Sequence, residues 1–404
     1  MKLTVFTLAI GQTLLYACLY YLFPATLLEW EAVHHWERTD VTLAFTLAIG
    51  ISALCAPFAG RFLDRDKGPE LMAGCIALGA VQLWLLTYAD SIYMFYLLWF
   101  GIGVAMSGCL YETVFAFLVK FRGKQAKSDI TLITLVAGFA STLCFPSIHY
   151  LLENHDLTIA LKIASLLLTL LVVPFFFASR QIQQQCCKDE PEQQVEQAPY
   201  HDQPQVLSNP NFWLLAVSFS LLGLAHSVII SHLLPLLEER SLSADNTILI
   251  ASLIGPMQVI GRIVSIFADR KLNLASITLY CFAGICIALA TLYFAGSSMW
   301  LLVIFVLFQG SSYGVISIMK PLVTKQFMGE ANFGTISGLM ALPYLMFSAL
   351  APYLGSLIWE INDYDGVLVT MVVTSVIAFG CFGVLKKRED RKMKIACNEV
   401  RVGS

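Results

Sequence analysis

The sequence is poor in charged residues. Only 13% of its 404 residues are Asp, Glu, Lys or Arg, and 57% are hydrophobic, whereas about 25% of a soluble domain is charged. So few charges cannot cover the surface of a soluble protein of this size. They also cluster between apolar runs of about 20 residues, the length of a helix that crosses a bilayer. This composition excludes a soluble globular protein and predicts an all-α membrane protein.

Several kinds of functional motif are also missing. The sequence has no HExxH zinc motif, no GxSxG nucleophile elbow and no GxxxxGK[ST] nucleotide loop. We therefore predict no enzyme, no metal site and no cofactor, and we expect energy from an ion or substrate gradient. The eleven cysteines form no CxxC pair, which favours reduced packing residues. No basic stripe interleaves with aromatic residues, so we expect no nucleic-acid partner.

What the sequence has instead is a series of apolar runs. The first run is longer than a signal peptide and lacks a small-residue cleavage site, so we interpret it as a membrane span. The runs predict twelve transmembrane helices in two halves of six, at about residues 3–28, 41–62, 71–89, 91–119, 130–152, 158–179, 210–237, 246–268, 274–295, 298–320, 333–359 and 366–385.

A polar segment separates the two halves. Residues 181–208 are rich in Gln, Glu and Pro and poor in apolar side chains, a composition that cannot bury enough surface to fold alone. We therefore predict an N-terminal six-helix bundle at 1–180, a cytoplasmic linker at 181–208, a C-terminal six-helix bundle at 209–388 and a cytoplasmic tail at 389–404.

The distribution of basic residues predicts the orientation. With both termini in the cytoplasm, 22 of the 25 Lys and Arg residues lie on the cytoplasmic side, and only Arg38, Lys162 and Arg240 lie outside. Basic residues in short loops favour the cytoplasm. We therefore expect cytoplasmic N- and C-termini in a multi-pass protein of the cell membrane, or of the inner membrane in a Gram-negative cell.

Two related stretches lie half a chain apart. The chain reads Gly60-Arg-Phe-Leu-Asp-Arg-Asp-Lys-Gly68 after the second run, and Gly261-Arg-Ile-Val-Ser-Ile-Phe-Ala-Asp-Arg-Lys271 after the eighth. This repeat resembles the signature loop of the major facilitator superfamily, although Gly68 comes one residue late. The resemblance implies the facilitator fold and alternating access. It also implies gating roles for Asp64, Arg65, Asp269 and Arg270.

Two charged residues lie inside apolar runs. Glu112 is roughly 12 Å from Lys120 along span 4, and Arg262 is roughly 10 Å from Asp269 along span 8, at 1.5 Å per residue. A charge at such depth costs roughly 2.5–3.5 kcal/mol and must face a cavity or a partner. Glu112 is either a proton-coupling residue or a structural partner of Arg262 or of a cytoplasmic lysine.

Arg262 also resembles the span-8 arginine of the monocarboxylate and oxalate transporter branches. In those branches the arginine binds the substrate carboxylate, for which a guanidinium provides two parallel donors. The resemblance therefore implies that Arg262 binds substrate. We assign Gln258, in the same segment, to the same site.

Polar stripes on two further spans complete the predicted site. Gln12, Tyr16 and Tyr20 are four residues apart on span 1, and each set of this kind shares a helix face. On span 10 the stripe consists of Gln309, Tyr313, Ser317 and Lys320. In facilitators, spans 1, 4, 7 and 10 line the central cavity, so we assign Gln12, Tyr16, Tyr20, Gln309 and Tyr313 to substrate binding. Hydrogen bonds between helices are the alternative, and Lys320 with Pro321 can also mark the end of span 10.

Two histidines lie on span 7. His226 and His232 are six residues apart, which places them about 240° apart around a helix, so they cannot share a metal ion. We assign His226 to proton coupling, with a packed, hydrogen-bonded histidine as the alternative for each.

These observations favour a monomeric secondary active transporter with a small-molecule substrate, H⁺ and the lipid bilayer as partners. The first hypothesis is proton-coupled uptake of a small organic anion such as a monocarboxylate, based on Arg262 and Glu112. The second is proton-driven efflux of a drug-like or metabolite compound, although span 5 lacks the Gly-Pro-x-x-Gly-Gly run of such antiporters. A channel or an intramembrane enzyme is the alternative from another class, but neither a filter segment, a charged ring nor a catalytic motif is evident.

Overall fold

The computed structural model describes residues 2–189, 203–268 and 271–402. These residues are helical apart from short turns and contain no strand. Eleven helices among them are long and apolar enough to cross a membrane. The last, Phe333–Arg391, has 59 residues, and its backbone is not helical at Asn362 and Asp363. Because this break divides it into two spans, the predicted all-α fold with twelve spans is confirmed.

The first compact unit comprises Met1–His201 and Glu330–Leu342. Its first six spans are not all single helices, since spans 1, 4 and 5 change geometry along their length. Span 5, for example, is interrupted at residues 138–139. The helices are Lys2–Leu15, the π-helix Tyr16–Tyr21 and Leu22–His34 (span 1), Arg38–Asp64 (span 2), Gly68–Leu86 (span 3), Ile92–Cys109 and Tyr111–Arg122 (span 4), Ala126–Ala137 and Ala140–Asn154 (span 5), and Leu157–Asp189 (span 6).

The second compact unit comprises Asp202–Gly329 and Pro343–Ser404. Span 11 contributes to both units, because its first turns belong to the first unit. The helices are Gln203–Ser208, Pro210–Glu239 (span 7), Ala244–Ala268 (span 8), Leu274–Ala295 (span 9), Met299–Met328 (span 10), and Phe333–Val402, which the break at residues 362–363 divides into spans 11 and 12.

Two helices extend beyond their predicted ends. Span 10 continues to Met328, so the interpretation of Lys320 and Pro321 as its end is wrong. Neighbouring helices can satisfy the groups that a proline leaves unbonded inside a membrane helix. Span 6 continues to Asp189, into the segment predicted as a linker, and residues 190–202 of that segment lie outside the described part of the chain.

Small residues allow close helix packing in both units. In the first, Gly103 of span 4 lies against the backbone of Ala48 in span 2, and in the second, Gly261 of span 8 lies against the backbone of Ser311 in span 10. A methyl group at either glycine would overlap a backbone carbonyl oxygen. Membrane helices favour small residues at such crossings because packing, rather than exclusion of water, holds them together.

Candidate functional site

Span 4 is broken in its middle. Its first helix ends at Cys109, Leu110 has an extended backbone with ψ of −174°, and a second helix begins at Tyr111. Such a break leaves backbone carbonyl and N–H groups without helical partners. The Gln12 side chain of span 1 satisfies one of them, since its Nε2 donates to the Cys109 carbonyl oxygen at 2.8 Å. Gln12 is fully buried, and its Oε1 has no hydrogen-bond partner among the described residues.

The π-helix in span 1 lies next to this break. Because a π-helix bonds residue i to i+5, it places Tyr21 near Tyr16, with ring centroids 6.4 Å apart. Tyr20 lies 5.9 Å from Tyr16, and Tyr111 of span 4 lies 4.3 Å from it. We refer to Tyr16, Tyr20, Tyr21 and Tyr111 as the tyrosine cluster. The structure thus brings predicted residues Tyr16 and Tyr20 together with two tyrosines that were not assigned.

Glu112 is the second residue of the helix that follows the break. It is partly buried, and it lines a small cavity together with residues of span 2 and of the beginning of span 11. A negative charge in the first turn of a helix interacts favourably with the free N–H groups there. Glu112 belongs to the first unit and Arg262 to the second, so their pairing stays a prediction.

Asp64 binds the beginning of span 11. Its Oδ1 accepts a hydrogen bond from the N–H of Gly334 at 2.7 Å, and its Oδ2 accepts one from the N–H of Thr335 at 2.6 Å. We call this pair of hydrogen bonds the Asp64 cap. A carboxylate at a helix N-terminus satisfies free donors and interacts favourably with the helix dipole. Gly60 and Gly334 pack backbone to backbone beside it.

Lys120 caps the C-terminus of span 2. Its Nζ donates to the Leu63 and Asp64 carbonyl oxygens at 2.7 and 3.2 Å and pairs with the Asp66 carboxylate at 2.7 Å. A cation at a helix C-terminus is stabilising. Arg65, the other predicted gating residue of this loop, is exposed. The predicted gating residues Asp269 and Arg270 lie outside the described residues.

Arg262 is buried in the second unit, with 8% of its surface exposed. Its Nε donates to the Gly314 carbonyl oxygen of span 10 at 3.2 Å. Gln258 lies one turn earlier with its backbone against Gly314 and a partly buried side chain. The two predicted residues of span 8 therefore both lie against the middle of span 10.

A connected set of side chains extends from this point, and we call it the Lys320 network. The Lys320 Nζ lies 3.6 Å from the centroid of the Tyr344 ring, and the Tyr344 and Tyr313 hydroxyl oxygens are 2.7 Å apart. The Tyr313 ring stacks on His226 at 3.3 Å, and His226 Nδ1 lies 3.1 Å from Gln309 Nε2. Gln309 is fully buried, and its Oε1 lacks a partner among the described residues.

The second histidine of span 7 lies elsewhere. His232 Nε2 is 2.9 Å from the Pro352 carbonyl oxygen, and its Nδ1 is 3.4 Å from the Tyr364 hydroxyl. The two histidines thus have different neighbours. Among the described residues, no group of three or more His, Cys, Asp or Glu side chains could hold a metal ion.

Sequence reasoning did not assign Tyr344, Tyr111, Lys120 or Lys320 to the candidate site. Helical spacing relates residues of one helix only, so it cannot show that Tyr344 of span 11 lies against Lys320 of span 10. One signal was available for Lys320, since it continues the stripe of Gln309 and Tyr313 on the same face.

Several solved transporters have a similar fold. A bacterial homologue of the iron transporter ferroportin, crystallised outward-facing with soaked iron, is 15% identical with a TM-score of 0.76, covering 95% of this chain and 99% of that one. A second crystal structure of such a homologue, also outward-facing, is 16% identical with a TM-score of 0.71, and the match covers 95% of this chain and 99% of that one. The human organic anion transporter MFSD10 (TETRAN) is 14% identical with a TM-score of 0.68, and the match covers 94% of this chain and 98% of that one.

Identities this low show the fold alone, and no curated protein matches the sequence. The family model of the Major Facilitator Superfamily, however, matches residues 8–342, which is most of the chain. Together with the membrane-spanning helices, this match identifies a transporter and not an enzyme. The chain belongs to the major facilitator superfamily, as its signature loop predicted.

Proposed function

We propose that the protein takes up a small organic anion together with protons, with Arg262 as the residue that binds the carboxylate. The observation that carries this proposal is the placement of Arg262, which is buried and fixed through Nε on the Gly314 carbonyl oxygen. A guanidinium presents its N–H donors in a planar fork, the geometry that forms parallel hydrogen bonds with a carboxylate.

The charge balance of the second unit supports an anionic substrate. Arg262 and Lys320 are basic residues well inside spans 8 and 10, whereas every acidic residue of spans 7 to 10 lies within two residues of a helix end. Embedded charges in membrane proteins mark substrate and ion pathways. Two cations inside spans 8 and 10, with no acidic residue at similar depth in spans 7 to 10, favour an anionic substrate in the second unit. One structural neighbour, human MFSD10 (TETRAN), is an organic anion transporter, which is consistent with this class.

Proton coupling is assigned to Glu112 in the first unit, with His226 as the second candidate. Glu112 is an ionisable group deep within span 4, where such groups form proton pathways in pumps and transporters. His226 lies within the Lys320 network and contacts Tyr313 and Gln309, which places it beside the proposed substrate residues.

Efflux of an amphipathic compound is the second candidate function. The tyrosine cluster favours it, because four rings with one polar end each form an aromatic surface that suits a flat apolar molecule. The Tyr20 ring extends this surface by packing on Phe45 at 5.1 Å.

Counterflow in proteoliposomes tests the first function. Vesicles with purified protein are loaded with pools of unlabelled monocarboxylates, dicarboxylates, amino acids or sugars, and uptake of the labelled compound is measured. We expect exchange of an organic acid, and stimulation of its net uptake by an inward proton gradient. Arg262→Ala removes the guanidinium, and Arg262→Lys keeps the charge without its paired donors.

Lys162→Ala is the control for loss of a positive charge away from the proposed site, since Lys162 lies on span 6 of the first unit, over the Trp84 ring of span 3. The anion assignment requires that Arg262→Ala loses exchange, that Arg262→Lys retains a fraction of it and that Lys162→Ala behaves as wild type. Exchange of neutral or cationic compounds unaffected by Arg262→Ala would overturn it and favour the efflux function.

A further inference from the structure

A cavity lies between the last helices of spans 1 and 5, which are the outer halves of these spans in the predicted orientation. Its walls are the helices Leu22–His34 and Ala140–Asn154, which pack against each other. Its volume is about 510 Å³, within the range of roughly 300–1,000 Å³ that is typical of small-molecule sites. We call it the Glu29 cavity, and all of its lining residues belong to the first unit. They are Pro24, Ala25, Leu28, Glu29, Phe145, His149, Leu152 and Glu153.

The Glu29 cavity is apolar at one end and acidic at the other. Phe145, His149 and Glu153 follow each other at steps of four residues and share one face of span 5, so Glu153 lies about 12 Å beyond Phe145 along the helix axis. Glu29 lies near the end of its helix, as Glu153 does. Because spans 1 and 5 run in the same direction in the predicted topology, both carboxylates lie at the outer end of the cavity. The Phe145 ring lies at the inner end.

The acidic end has an excess of negative charge. Glu29 is partly buried, and its carboxylate has no hydrogen bond or ion pair within the described part of the chain. Glu153 pairs with His149, whose Nε2 lies 3.2 Å from Glu153 Oε1, and even a protonated imidazole offsets only one of the two carboxylates. A carboxylate removed from bulk water needs a partner. This end therefore favours a cation, and it repels the anion proposed for the second unit.

Aromatic rings continue the inner end of the cavity. The Phe145 ring centroid lies 6.1 Å from that of Tyr21, at an angle of 62° between the ring planes, and Tyr21 belongs to the tyrosine cluster. Leu28 and Phe145 both expose a large part of their side chains beside the cavity. Aromatic side chains favour edge-to-face or offset contacts with another ring. The inner end therefore favours an apolar group that contains an aromatic ring.

We propose that the Glu29 cavity binds a lipophilic organic cation, with the apolar body of the ligand against Phe145 and Leu28 and its charged group beside Glu29 and Glu153. This site goes beyond the proposed function, because its ligand has the opposite charge and does not need to be transported. A zwitterionic phospholipid fits less well, because its phosphate group would lie beside the same two carboxylates.

Three probes with nearly the same apolar body test the charge requirement. Phenylbutylamine, phenylbutanol and phenylbutyrate carry an ammonium, a hydroxyl and a carboxylate group, respectively. Equilibrium dialysis measures their binding to the purified full chain in nanodiscs, and nanodiscs without protein correct for partition into lipid. We expect the amine to bind about tenfold more tightly than the alcohol, because two carboxylates face its charge. Phenylbutyrate should not displace the amine.

Variants of the lining residues separate charge from apolar contact. Glu29→Gln and Glu153→Gln each remove one charge and should weaken amine binding about fivefold. Their alcohol binding should stay unchanged, which also shows that these variants are folded. Phe145→Ala removes part of the apolar wall and should weaken the binding of both probes. Glu37→Gln is the matched control, since Glu37 is an exposed acid on the same predicted side that does not line the cavity.

Equal affinity for the amine and the alcohol would overturn the proposal, as would amine binding that neither glutamine variant weakens. Phosphatidylethanolamine that co-purifies with the wild type but not with Glu29→Gln, without amine binding, would overturn it and assign the cavity to a lipid. Arg262→Ala should leave amine binding unchanged, because Arg262 belongs to the second unit, and loss of binding there would place the amine at the anion site. Failure of the organic-anion assignment in counterflow leaves this binding result standing, and failure of amine binding leaves the counterflow result standing.

Discussion

In the first unit the Gln12 amide donates to a backbone carbonyl at the break in span 4, whereas in the second unit the Gln309 amide lies against a histidine ring. Both glutamines are fully buried and both keep an unpartnered Oε1 among the described residues. The embedded charges differ as well, since the first unit carries the acid Glu112 and the second carries Arg262 and Lys320.

This difference suggests a division of tasks between the units. The first unit has a broken helix, a π-helix and the Asp64 cap, each at an interruption or an end of a regular α-helix. The second unit has the Lys320 network and, bonded to the Gly314 carbonyl oxygen of the same span 10, Arg262. We infer that the first unit converts proton binding into movement and that the second provides most of the affinity for the anion.

The largest expected effect distinguishes the role of the Arg262 charge from that of the Glu112 charge. Arg262→Ala should weaken substrate binding roughly 100-fold, because a charge-assisted interaction with a carboxylate is lost from a buried site. Glu112→Gln should leave counterflow nearly unchanged and abolish stimulation by the proton gradient. Substrate affinity from counterflow and net uptake at two pH values measure these effects. Equal loss of affinity in both variants would contradict the division of tasks.

The next effect compares the close helix crossings. Gly60→Ala in the first unit and Gly261→Ala in the second each place a methyl group on a backbone carbonyl oxygen, and overpacking of this kind costs about 1–3 kcal/mol. Gly50→Ala and Gly255→Ala are matched controls, since no atom lies within 4 Å of the added methyl group. Thermal unfolding measures the difference. We expect Gly60→Ala to affect net uptake as well, because Gly60 adjoins the Asp64 cap.

A smaller effect concerns the second cation. Lys320→Ala should weaken anion binding about tenfold, because it removes a positive charge and its contact with the Tyr344 ring, a partly desolvated cation–π interaction. Lys320→Arg should restore most of the affinity. Lys325→Ala, five residues further along span 10, is the control. Unchanged affinity in Lys320→Ala would limit recognition to Arg262.

The smallest effect compares tyrosine hydroxyls. Tyr344→Phe keeps the ring under Lys320 and removes the hydrogen bond to Tyr313, which is worth about 1 kcal/mol, or about fivefold in affinity. Tyr16→Phe in the first unit should leave anion affinity unchanged. The opposite ranking in the same binding assay would move the substrate site towards the tyrosine cluster and favour efflux.

The number of spans and the family could be predicted from the sequence because apolar runs and a loop motif are local signals. Span 9 was predicted at 274–295, and the helix is Leu274–Ala295. The end of span 10 was wrong because Lys320-Pro321 has the composition of a helix end, although the helix is continuous there.

Much of the candidate site could not be predicted. Leu110, where span 4 is broken, is neither Gly nor Pro, and no residue pattern marks the π-helix at Tyr16–Tyr21. Spacing on one helix correctly grouped Gln309 with Tyr313, but the contacts of Tyr344 and the Asp64 cap join residues 24 or more positions apart. Such pairs depend on how helices cross, which single-helix periodicity does not describe.

Because of the π-helix in span 1, the position of Gln12 depends on the number of residues between Tyr16 and Tyr21. A deletion of one residue between Ala17 and Leu19 would let the α-helix continue through Tyr16–Tyr21. The preceding helix would then turn by about 100° and shift by about 1.5 Å along its axis. Gln12 would leave the Cys109 carbonyl oxygen. A single-codon deletion would thus present a different face of the helix Lys2–Leu15 without changing any side chain on that helix.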